Sequence, residues 1–264
     1  GASRGIGAAA AREFADADAK VALVARGADQ IADLAGEIGE NAVAIPCDIS
    51  RYWEVEQAVE NCIKAFGRLD VLINNAGVVP TQQEFTKDGY EMQFGVNYLA
   101  PVLFTHLMLP LLQKGTQPRI LHLASVAHWL GRINKKTWKG RKPYLVMDAY
   151  GQSKLANILF SNVLADRLKD TGITSNALHP GGVDTPIFRH VPSAVMALIR
   201  PTLTTPEKAA SLPVSLALDE QYAQISGEYF ANHKPALRSP RARNSNLADE
   251  LYYDTMAELN MPAL

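Results

Sequence analysis

Short apolar runs alternate with longer helix-like stretches through most of the chain. The runs are rich in aliphatic and β-branched residues and are bounded by turn residues, which is typical of buried strands. Strands are predicted over residues 20–25, 42–47, 69–74, 119–124 and 173–179. Helices are predicted over residues 6–16, 29–38, 52–66, 88–113 (with a break) and 149–171.

This alternation predicts the fold class. Continuous apolar strands separated by helices are typical of a parallel sheet that is covered on both faces, the doubly wound α/β arrangement or Rossmann fold. The sequence has no internal repeat and no Gly/Ser-rich linker, so we expect residues 1–264 to form a single domain.

Two segments depart from the alternation. Residues 130–144 carry six basic residues and are predicted to be a solvated loop, with contact to an anionic membrane surface or an acidic partner as the alternative. Residues 186–204 contain an apolar stretch between Pro192 and Pro201, which favours a mobile flap over a core helix.

Composition and charge exclude several classes of protein. The 264 residues include 26 basic and 27 acidic side chains, a net charge of −1, and this balance argues against a nucleic-acid binder. Cys47 and Cys62 are too few for a disulfide framework or a thiolate metal site, and we expect buried free thiols. No His/Asp/Glu spacing indicates a metal site, and no uninterrupted apolar run reaches the length of a membrane span.

Residues 1–7 read Gly-Ala-Ser-Arg-Gly-Ile-Gly and open a predicted helix. Glycines at such a turn let the backbone approach phosphates, and the helix N-terminus supplies free N–H donors. A tight turn into a helix is the simpler alternative. In folds of this class a central strand precedes the turn, so we expect the first strand to be truncated, with its place between strands 20–25 and 69–74.

Tyr150 and Lys154 are four residues apart on a predicted helix and therefore lie on one face. A phenol ionises near pH 10, and an adjacent ammonium lowers its pKa, which makes Tyr150 a candidate general acid/base. A surface Tyr–Lys pair is the alternative. Ser125 and residues 74–77 end predicted parallel strands, at the sheet edge where such folds bind ligands.

Five motifs together resemble the short-chain dehydrogenase/reductase family. They are residues 1–7, residues 74–77 (Asn-Asn-Ala-Gly), Ser125, Tyr150 with Lys154, and residues 180–185 (Pro-Gly-Gly-Val-Asp-Thr), in the order typical of that family. The likeness extends from Gly1 to about Phe230. The phrases at residues 94–98, 149–157, 178–181 and 226–230 are similar to the retinol dehydrogenase-like branch.

The resemblance implies roles for four catalytic residues. Tyr150 exchanges a proton with the substrate oxygen while hydride moves to or from the nicotinamide, and Ser125 hydrogen-bonds the same oxygen. Lys154 binds the nicotinamide ribose and lowers the pKa of Tyr150. Asn97 kinks its helix and holds a water molecule that links Lys154 to solvent. The implied cofactor contacts, besides Tyr150 and Lys154, are Gly1, Ser3, Arg4, Gly5, Ile6, Gly7, Arg26, Asp48 (adenine), Ile49, Asn75, Ala76, Gly77, Pro180, Gly181, Val183 and Thr185 (carboxamide).

The residues at the end of predicted strand 20–25, which corresponds to the second strand of such a fold, indicate which dinucleotide is bound. They are Val24-Ala25-Arg26, and no carboxylate follows until Asp29. A carboxylate there binds the ribose 2′-hydroxyl of NAD, whereas Arg26, assisted by Arg4, can pair with a 2′-phosphate. The sequence therefore predicts NADP(H) in preference to NAD(H), with a solvent-facing Arg26 and an NAD-preferring dehydrogenase as the alternative.

Other functions fit the motifs less well. His128 lies near Ser125, but the sequence has no nucleophile elbow of a hydrolase, and we expect His128 at the site wall or surface. A nucleotide-sugar epimerase usually has a different glycine spacing. A catalytically silent cofactor-binding or sensing protein is expected to lose Ser125, Tyr150 or Lys154, and all three are present.

Apolar residues dominate the segments expected to line the substrate pocket, which are residues 78–81, 126–129 and 191–203. They predict a small lipophilic alcohol or carbonyl substrate, without naming one, because apolar pockets discriminate weakly. The resemblance allows a homodimer or homotetramer and leaves membrane contact open. Localisation is open as well, and is cytoplasmic if no anchor precedes Gly1.

Overall fold

The structure, a computed structural model, describes residues 1–182 and 204–264. The first half contains α1 (Gly5–Asp16), β1 (Val21–Ala25), α2 (Ala28–Ile38), β2 (Ala42–Pro46), α3 (Tyr52–Phe66), β3 (Val71–Asn74), α4 (Met92–Phe94), a π-helical segment (Gly95–Leu99), α5 (Ala100–Leu112) and β4 (Arg119–Leu123). The second half contains 3-10 turns Val126–Trp129 and Lys135–Thr137, α6 (Val146–Arg167), β5 (Thr174–His179), α7 (Pro206–Leu218), 3-10 turn Glu220–Tyr222, β6 (Tyr229–Ala231), β7 (Lys234–Pro235), 3-10 turn Arg241–Arg243 and α8 (Ser245–Glu258).

The strands confirm the predicted α/β class. Within the described residues they form two hydrogen-bonded groups, β1–β2 and β3–β4–β5–β6–β7. Every pair is parallel except β6–β7, which is antiparallel. The sequence did not predict the short antiparallel strand β7, before which Asn232 and His233 adopt positive φ values and turn the chain back.

Helices cover both faces of the sheet. On one face, α1 and α7 pack against Leu121, Leu123, Leu178 and Phe230. On the other face, α3, α5, α6 and α8 contribute to the larger apolar cluster, which includes the free thiols of Cys47 and Cys62. The helix α6 lies between the sheet and α8, so most of its residues from 149 to 164 are buried.

The predicted break within helix 88–113 is confirmed. The backbone passes from α4 through the π-helical segment into α5, and Pro101 lies in the first turn of α5. The stretch Met92–Leu112 is long and apolar enough to cross a membrane, but 83% of that window is buried inside the fold. A helix buried to this extent is typical of the core of a folded domain.

Residues 130–144 form a loop in which five of the six basic residues are exposed, as in a solvated loop, but the segment is also anchored to the rest of the fold. Trp138 is buried and its ring stacks on Phe94, with 4.8 Å between ring centroids. Lys135 and Lys139 form salt bridges with Asp254 and Glu258 of α8, each with a distance of 2.6 Å. The sequence predicted the exposed basic residues but not the contact of Trp138 that anchors the segment.

Candidate active site

The glycine loop lies between the carboxyl ends of β1 and β3. The backbone N–H of Ala2 donates to the carbonyl oxygen of Val24 at 3.2 Å, and Asn75 Nδ2 donates to the carbonyl oxygen of Gly1 at 2.8 Å. A Cβ at Gly1 would lie 2.8 Å from the backbone nitrogen of Ala76, and a Cβ at Gly7 would overlap the Gly1 carbonyl. Only glycine permits this approach, so the loop and the predicted residues Asn75 and Ala76 form one backbone surface.

The N-terminus of α1 opens at the same edge. Gly5 has a φ of +59°, a conformation that glycine adopts without strain. The Arg4 side chain does not cap the helix, and this leaves the first backbone N–H groups for another acceptor. Arg4 and Arg26 are both exposed, whereas Ser3 and Ile6 are partly buried.

Ser125 follows β4 in an extended conformation and begins the turn Val126–Trp129. Its Oγ accepts a hydrogen bond from the backbone N–H of Ala127 at 3.2 Å, and its hydroxyl is near enough to Tyr150 to influence the pKa of that phenol. The turn approaches α6 closely, because a Cβ at Gly151 would lie 2.9 Å from the carbonyl oxygen of Ala127 and a Cβ at Gly131 would overlap the Gly151 carbonyl. Sequence reasoning missed Gly131 and Gly151.

Lys154 is buried one helical turn after Tyr150. Its Nζ donates to the carbonyl oxygen of Leu123 at 2.7 Å and lies 5.6 Å from the centre of the Tyr150 ring. Asn157 Nδ2 donates to the same carbonyl at 3.2 Å. Burial lowers the pKa of Lys154 to about 8.

The structure corrects the prediction that Lys154 lowers the pKa of Tyr150. Burial has the larger influence and raises the pKa of the phenol, while the nearby Ser125 hydroxyl acts in the opposite direction. The reason is physical, since removing a phenolate from water costs more than the Ser125 hydroxyl returns. Tyr150 is therefore protonated at neutral pH and is suited to donate a proton.

Asn97 lies in the π-helical segment, so the predicted distortion of its helix is confirmed. Its Oδ1 accepts from the backbone N–H of Val78 at 2.8 Å, and its Nδ2 donates to the Val78 carbonyl at 3.0 Å and to Ser153 Oγ at 3.1 Å. A Cβ at Gly77 would lie 3.5 Å from Asn97 Oδ1 and 3.8 Å from Lys154 Nζ. Asn97 thus joins the segment after β3 to α6 beside Lys154, while the water molecule stays a prediction.

Asp48 and Ile49 are partly buried after β2. Asp48 Oδ1 accepts from Ser50 Oγ at 2.7 Å, and the Asp48 backbone N–H donates to Glu54 Oε2 at 2.6 Å. Arg51 pairs with that glutamate at 2.6 Å. Arg51 and Glu54, which sequence reasoning missed, hold the Asp48 backbone in place.

Pro180 and Gly181 follow β5, and Gly181 has a φ of +94°. The backbone N–H of Thr204 donates to the Gly182 carbonyl at 2.7 Å. Val183, Thr185 and the predicted flap up to residue 203 lie outside the described residues.

His128 was expected at the site wall or at the surface, and the structure excludes the surface, because His128 is completely buried with Nδ1 2.7 Å from the Ser125 carbonyl oxygen. Exposed apolar side chains are instead next to the catalytic candidates in sequence. Val126, Trp129 and Leu130 follow Ser125, and Leu145 and Met147 precede Tyr150. No cluster of His, Cys, Asp or Glu that could hold a metal ion occurs among residues 1–182 and 204–264.

Comparison with known proteins relates this arrangement to a large family. Residues 1–195 match the family described as short chain dehydrogenase. The chain is 37% identical to retinol dehydrogenase 12 of Bos taurus, with 96% of this chain and 82% of that protein covered. It is 36% identical to human retinol dehydrogenase 11 (99% and 85% covered) and 34% identical to human retinol dehydrogenase 13 (100% and 84% covered).

Solved structures show the same fold. An uncharacterized protein from Mycobacterium Paratuberculosis superposes with a TM-score of 0.82 at 28% identity, covering 100% of this chain and 93% of that one. The 3-ketoacyl-(acyl-carrier-protein) reductase from Brucella melitensis, complexed with NADH, superposes with a TM-score of 0.70 at 27% identity, covering 87% and 92%.

Proposed function

The chain belongs to the short-chain dehydrogenase family of oxidoreductases, within its retinol dehydrogenase-like branch, and we propose that it transfers hydride between NADP(H) and a lipophilic alcohol or carbonyl compound. The observation that carries this proposal is the convergence of three side chains at the carboxyl edge of the sheet. The Ser125 hydroxyl is near enough to Tyr150 to lower the pKa of its phenol, and Lys154 Nζ lies 5.6 Å from the centre of the Tyr150 ring.

In the proposed reaction, each of these residues has a separate role at or near the substrate oxygen. Tyr150, whose pKa is raised by burial, donates its proton to the carbonyl oxygen during reduction. Ser125 donates a hydrogen bond to the same oxygen and stabilises the negative charge that develops there. Lys154, held by the Leu123 carbonyl, supplies a positive charge beside the phenolate that remains. Asn97 is a positioning residue, because it fixes the backbone of Val78 against α6.

The residues present fit a nicotinamide dinucleotide, which supplies or accepts the hydride when bound. The pyrophosphate would lie against the glycine loop and the uncapped start of α1, where the space is too narrow for any side chain at Gly1 or Gly7. Asp48 and Ile49 would contact the adenine, Lys154 the nicotinamide ribose, and Val183 and Thr185 the nicotinamide. Arg26 and Arg4 are exposed at the end of β1 and the start of α1, and their charge favours a 2′-phosphate.

The proposed substrate class rests on two supports. The side chains that border Ser125 and Tyr150 in sequence are apolar and exposed, and the similar proteins are named retinol dehydrogenases. We therefore propose a retinoid, a steroid or a medium-to-long aldehyde, or the corresponding alcohol. A homodimer or homotetramer and contact with a membrane stay predictions.

The test is a turnover assay with purified protein, NADPH or NADH, and a panel of retinaldehyde, medium-chain aldehydes, steroid ketones and a short polar ketone. We expect lipophilic carbonyls to be reduced, with kcat/KM for NADPH at least about tenfold above that for NADH. Dinucleotide binding without turnover of any panel member would instead favour the catalytically silent protein.

A further inference from the structure

Both ring nitrogens of His128 are engaged by backbone groups. Nδ1 lies 2.7 Å from the carbonyl oxygen of Ser125, and Nε2 lies 3.1 Å from the backbone nitrogen of Ser239. The side chain is completely buried, so no water competes for either contact. A single imidazole thus connects the catalytic candidate Ser125 with a segment more than a hundred residues further along the chain.

These partners select one tautomer. A backbone N–H can only donate, so Nε2 of His128 must accept the hydrogen bond from Ser239. The ring proton is then on Nδ1 and donates to the Ser125 carbonyl. A protonated ring would lose the bond to Ser239, and burial lowers the pKa of His128, which keeps the ring neutral.

The far end of this connection is firmly held. Ser239 is buried, and its Oγ accepts from the backbone N–H of Ala242 at 3.3 Å. The preceding residue, Arg238, donates to the Gly227 carbonyl at 2.7 Å and to Asn162 Oδ1 of α6 at 3.1 Å. His128 therefore ties Ser125 to a segment that is itself attached to the helix carrying Tyr150.

The turn that carries His128 is also restrained from the opposite direction. Gly151, next to Tyr150, leaves no room for a side chain between α6 and the Ala127 carbonyl. The His128 ring packs against Tyr229 of β6, with 5.1 Å between ring centroids at an angle of 67°. The position of the turn is thus restrained by its backbone contact with α6, by the aromatic contact and by the two hydrogen bonds.

We propose that His128 is a positioning residue, whose two hydrogen bonds hold Ser125 where its hydroxyl and that of Tyr150 reach the same substrate oxygen. The proposal rests on the proposed function. His128 itself contacts neither substrate nor cofactor. Replacing it is therefore expected to lower the rate of the chemical step and to leave dinucleotide binding unchanged.

Three variants of the full chain separate this role from a merely structural one. His128→Leu removes both hydrogen bonds, whereas His128→Asn keeps a donor near the position of Nδ1. The matched control is His106→Leu, because His106 is also buried and contacts the Val102 carbonyl at 3.1 Å and Tyr252 Oη at 3.2 Å, remote from Ser125. Activity is expressed per NADPH-binding site, so that partial unfolding does not count as lost turnover.

We expect His128→Leu to lower kcat by about 10- to 100-fold while the NADPH dissociation constant stays within about threefold of the parent value. His128→Asn, which restores only the bond to the Ser125 carbonyl, should recover part of that loss. His106→Leu should lower the melting temperature but retain kcat. Equal kcat in His128→Leu and the parent, or equal losses in His128→Leu and His128→Asn, would overturn the proposal.

A second experiment, which does not measure turnover, tests the role of His128 separately from the proposed function. In protein labelled with ¹⁵N-histidine, the signal absent from the spectrum of His128→Asn identifies the His128 ring. We expect Nδ1 protonated, Nε2 unprotonated, and no titration near pH 6.5. The other tautomer, or titration like a free imidazole, would refute the tether even in an active enzyme. Lack of turnover by the parent with the expected tautomer would count only against the proposed function.

Discussion

At the scale of the residue, a partly buried phenol and a buried amine lie one helical turn apart on α6. Burial raises the pKa of Tyr150 and lowers that of Lys154 to about 8, so both shifts favour the uncharged form of each group. The Ser125 hydroxyl partly opposes the shift of the Tyr150 pKa. In the proposed reaction, the phenol of Tyr150 therefore keeps its proton until the substrate oxygen becomes basic.

Arg26 allows a residue-scale test of dinucleotide choice. We expect Arg26→Asp to lower the ratio of kcat/KM for NADPH to that for NADH by about tenfold or more, because a carboxylate repels the 2′-phosphate and accepts hydrogen bonds from a ribose hydroxyl. The measurement is the ratio in the parent and the variant. An unchanged ratio would move selectivity to another residue, with Arg4 as the next candidate.

Residue spacing was enough to predict that Tyr150 and Lys154 share a face, since helix geometry fixes that relation. It was not enough for His128 or for the two glycines at the turn, because their contacts join distant parts of the chain: His128 meets Ser239, and Gly131 meets Gly151. The rise in the Tyr150 pKa was missed for a related reason. Burial depends on the whole fold, whereas a neighbouring charge can be seen in the sequence.

At the scale of the element, the distance between the turn Val126–Trp129 and α6 determines whether Ser125 and Tyr150 can act on one oxygen. Glycine at position 151 permits the contact, since a Cβ there would lie 2.9 Å from the Ala127 carbonyl and 3.0 Å from the Gly131 nitrogen. Both of those atoms belong to the backbone, so the turn would have to move as a unit.

We expect Gly151→Ala to lower kcat by about tenfold or more, because a displacement well below 1 Å spoils hydrogen-bond geometry at a reacting centre. The matched control is Gly36→Ala in α2, where a Cβ would have nothing within 4 Å. That exposed helical position should gain about 0.5–1 kcal/mol in stability and keep full activity. Comparable kcat in both variants would mean that the close approach has no catalytic role.

Length alone did not decide which elements could be predicted, because α7 and α8, with 13 and 14 residues, were not predicted. The five longer strands and the helices α1 to α3 were found to within a few residues, because each has a full pattern of apolar positions. The strands β6 and β7, with three and two residues, are too short to show one. The anchoring of segment 130–144 was not predicted, because it depends on a stacking contact with Phe94 and on acids in α8, which no local pattern reveals.

At the scale of the whole molecule, several histidines are buried in the uncharged form. Burial lowers the pKa of His122 from 6.5 to about 3, and it also lowers those of His106, His128 and His179. Below pH 6.5 the unfolded chain binds protons that the folded chain refuses, so stability falls as the pH falls toward the folded value. Each such group contributes up to about 1.4 kcal/mol per pH unit in that window.

We therefore expect the free energy of unfolding, measured with urea, to fall between pH 6.5 and pH 5. The Glu258 carboxyl, whose pKa is lowered from 4.5, titrates below this range and does not contribute. His122→Gln should show a shallower dependence on pH, because one of the buried imidazoles is removed. Parallel curves for the parent and the variant would exclude His122 as a source of the effect.

Hydride transfer with Tyr150 as the acid is tested most directly by measuring deuterium transfer from NADPH in the parent protein and in Tyr150→Phe. Purified protein is supplied with NADPH carrying deuterium at both positions of nicotinamide C4 and a lipophilic aldehyde, and the product alcohol is analysed by mass spectrometry. We expect one deuterium on the carbinol carbon. Tyr150→Phe should bind NADPH as the parent does and form the same product at least about 100-fold more slowly. Product without deuterium, or a kcat for Tyr150→Phe within about tenfold of the parent value, would contradict hydride transfer with Tyr150 as the acid.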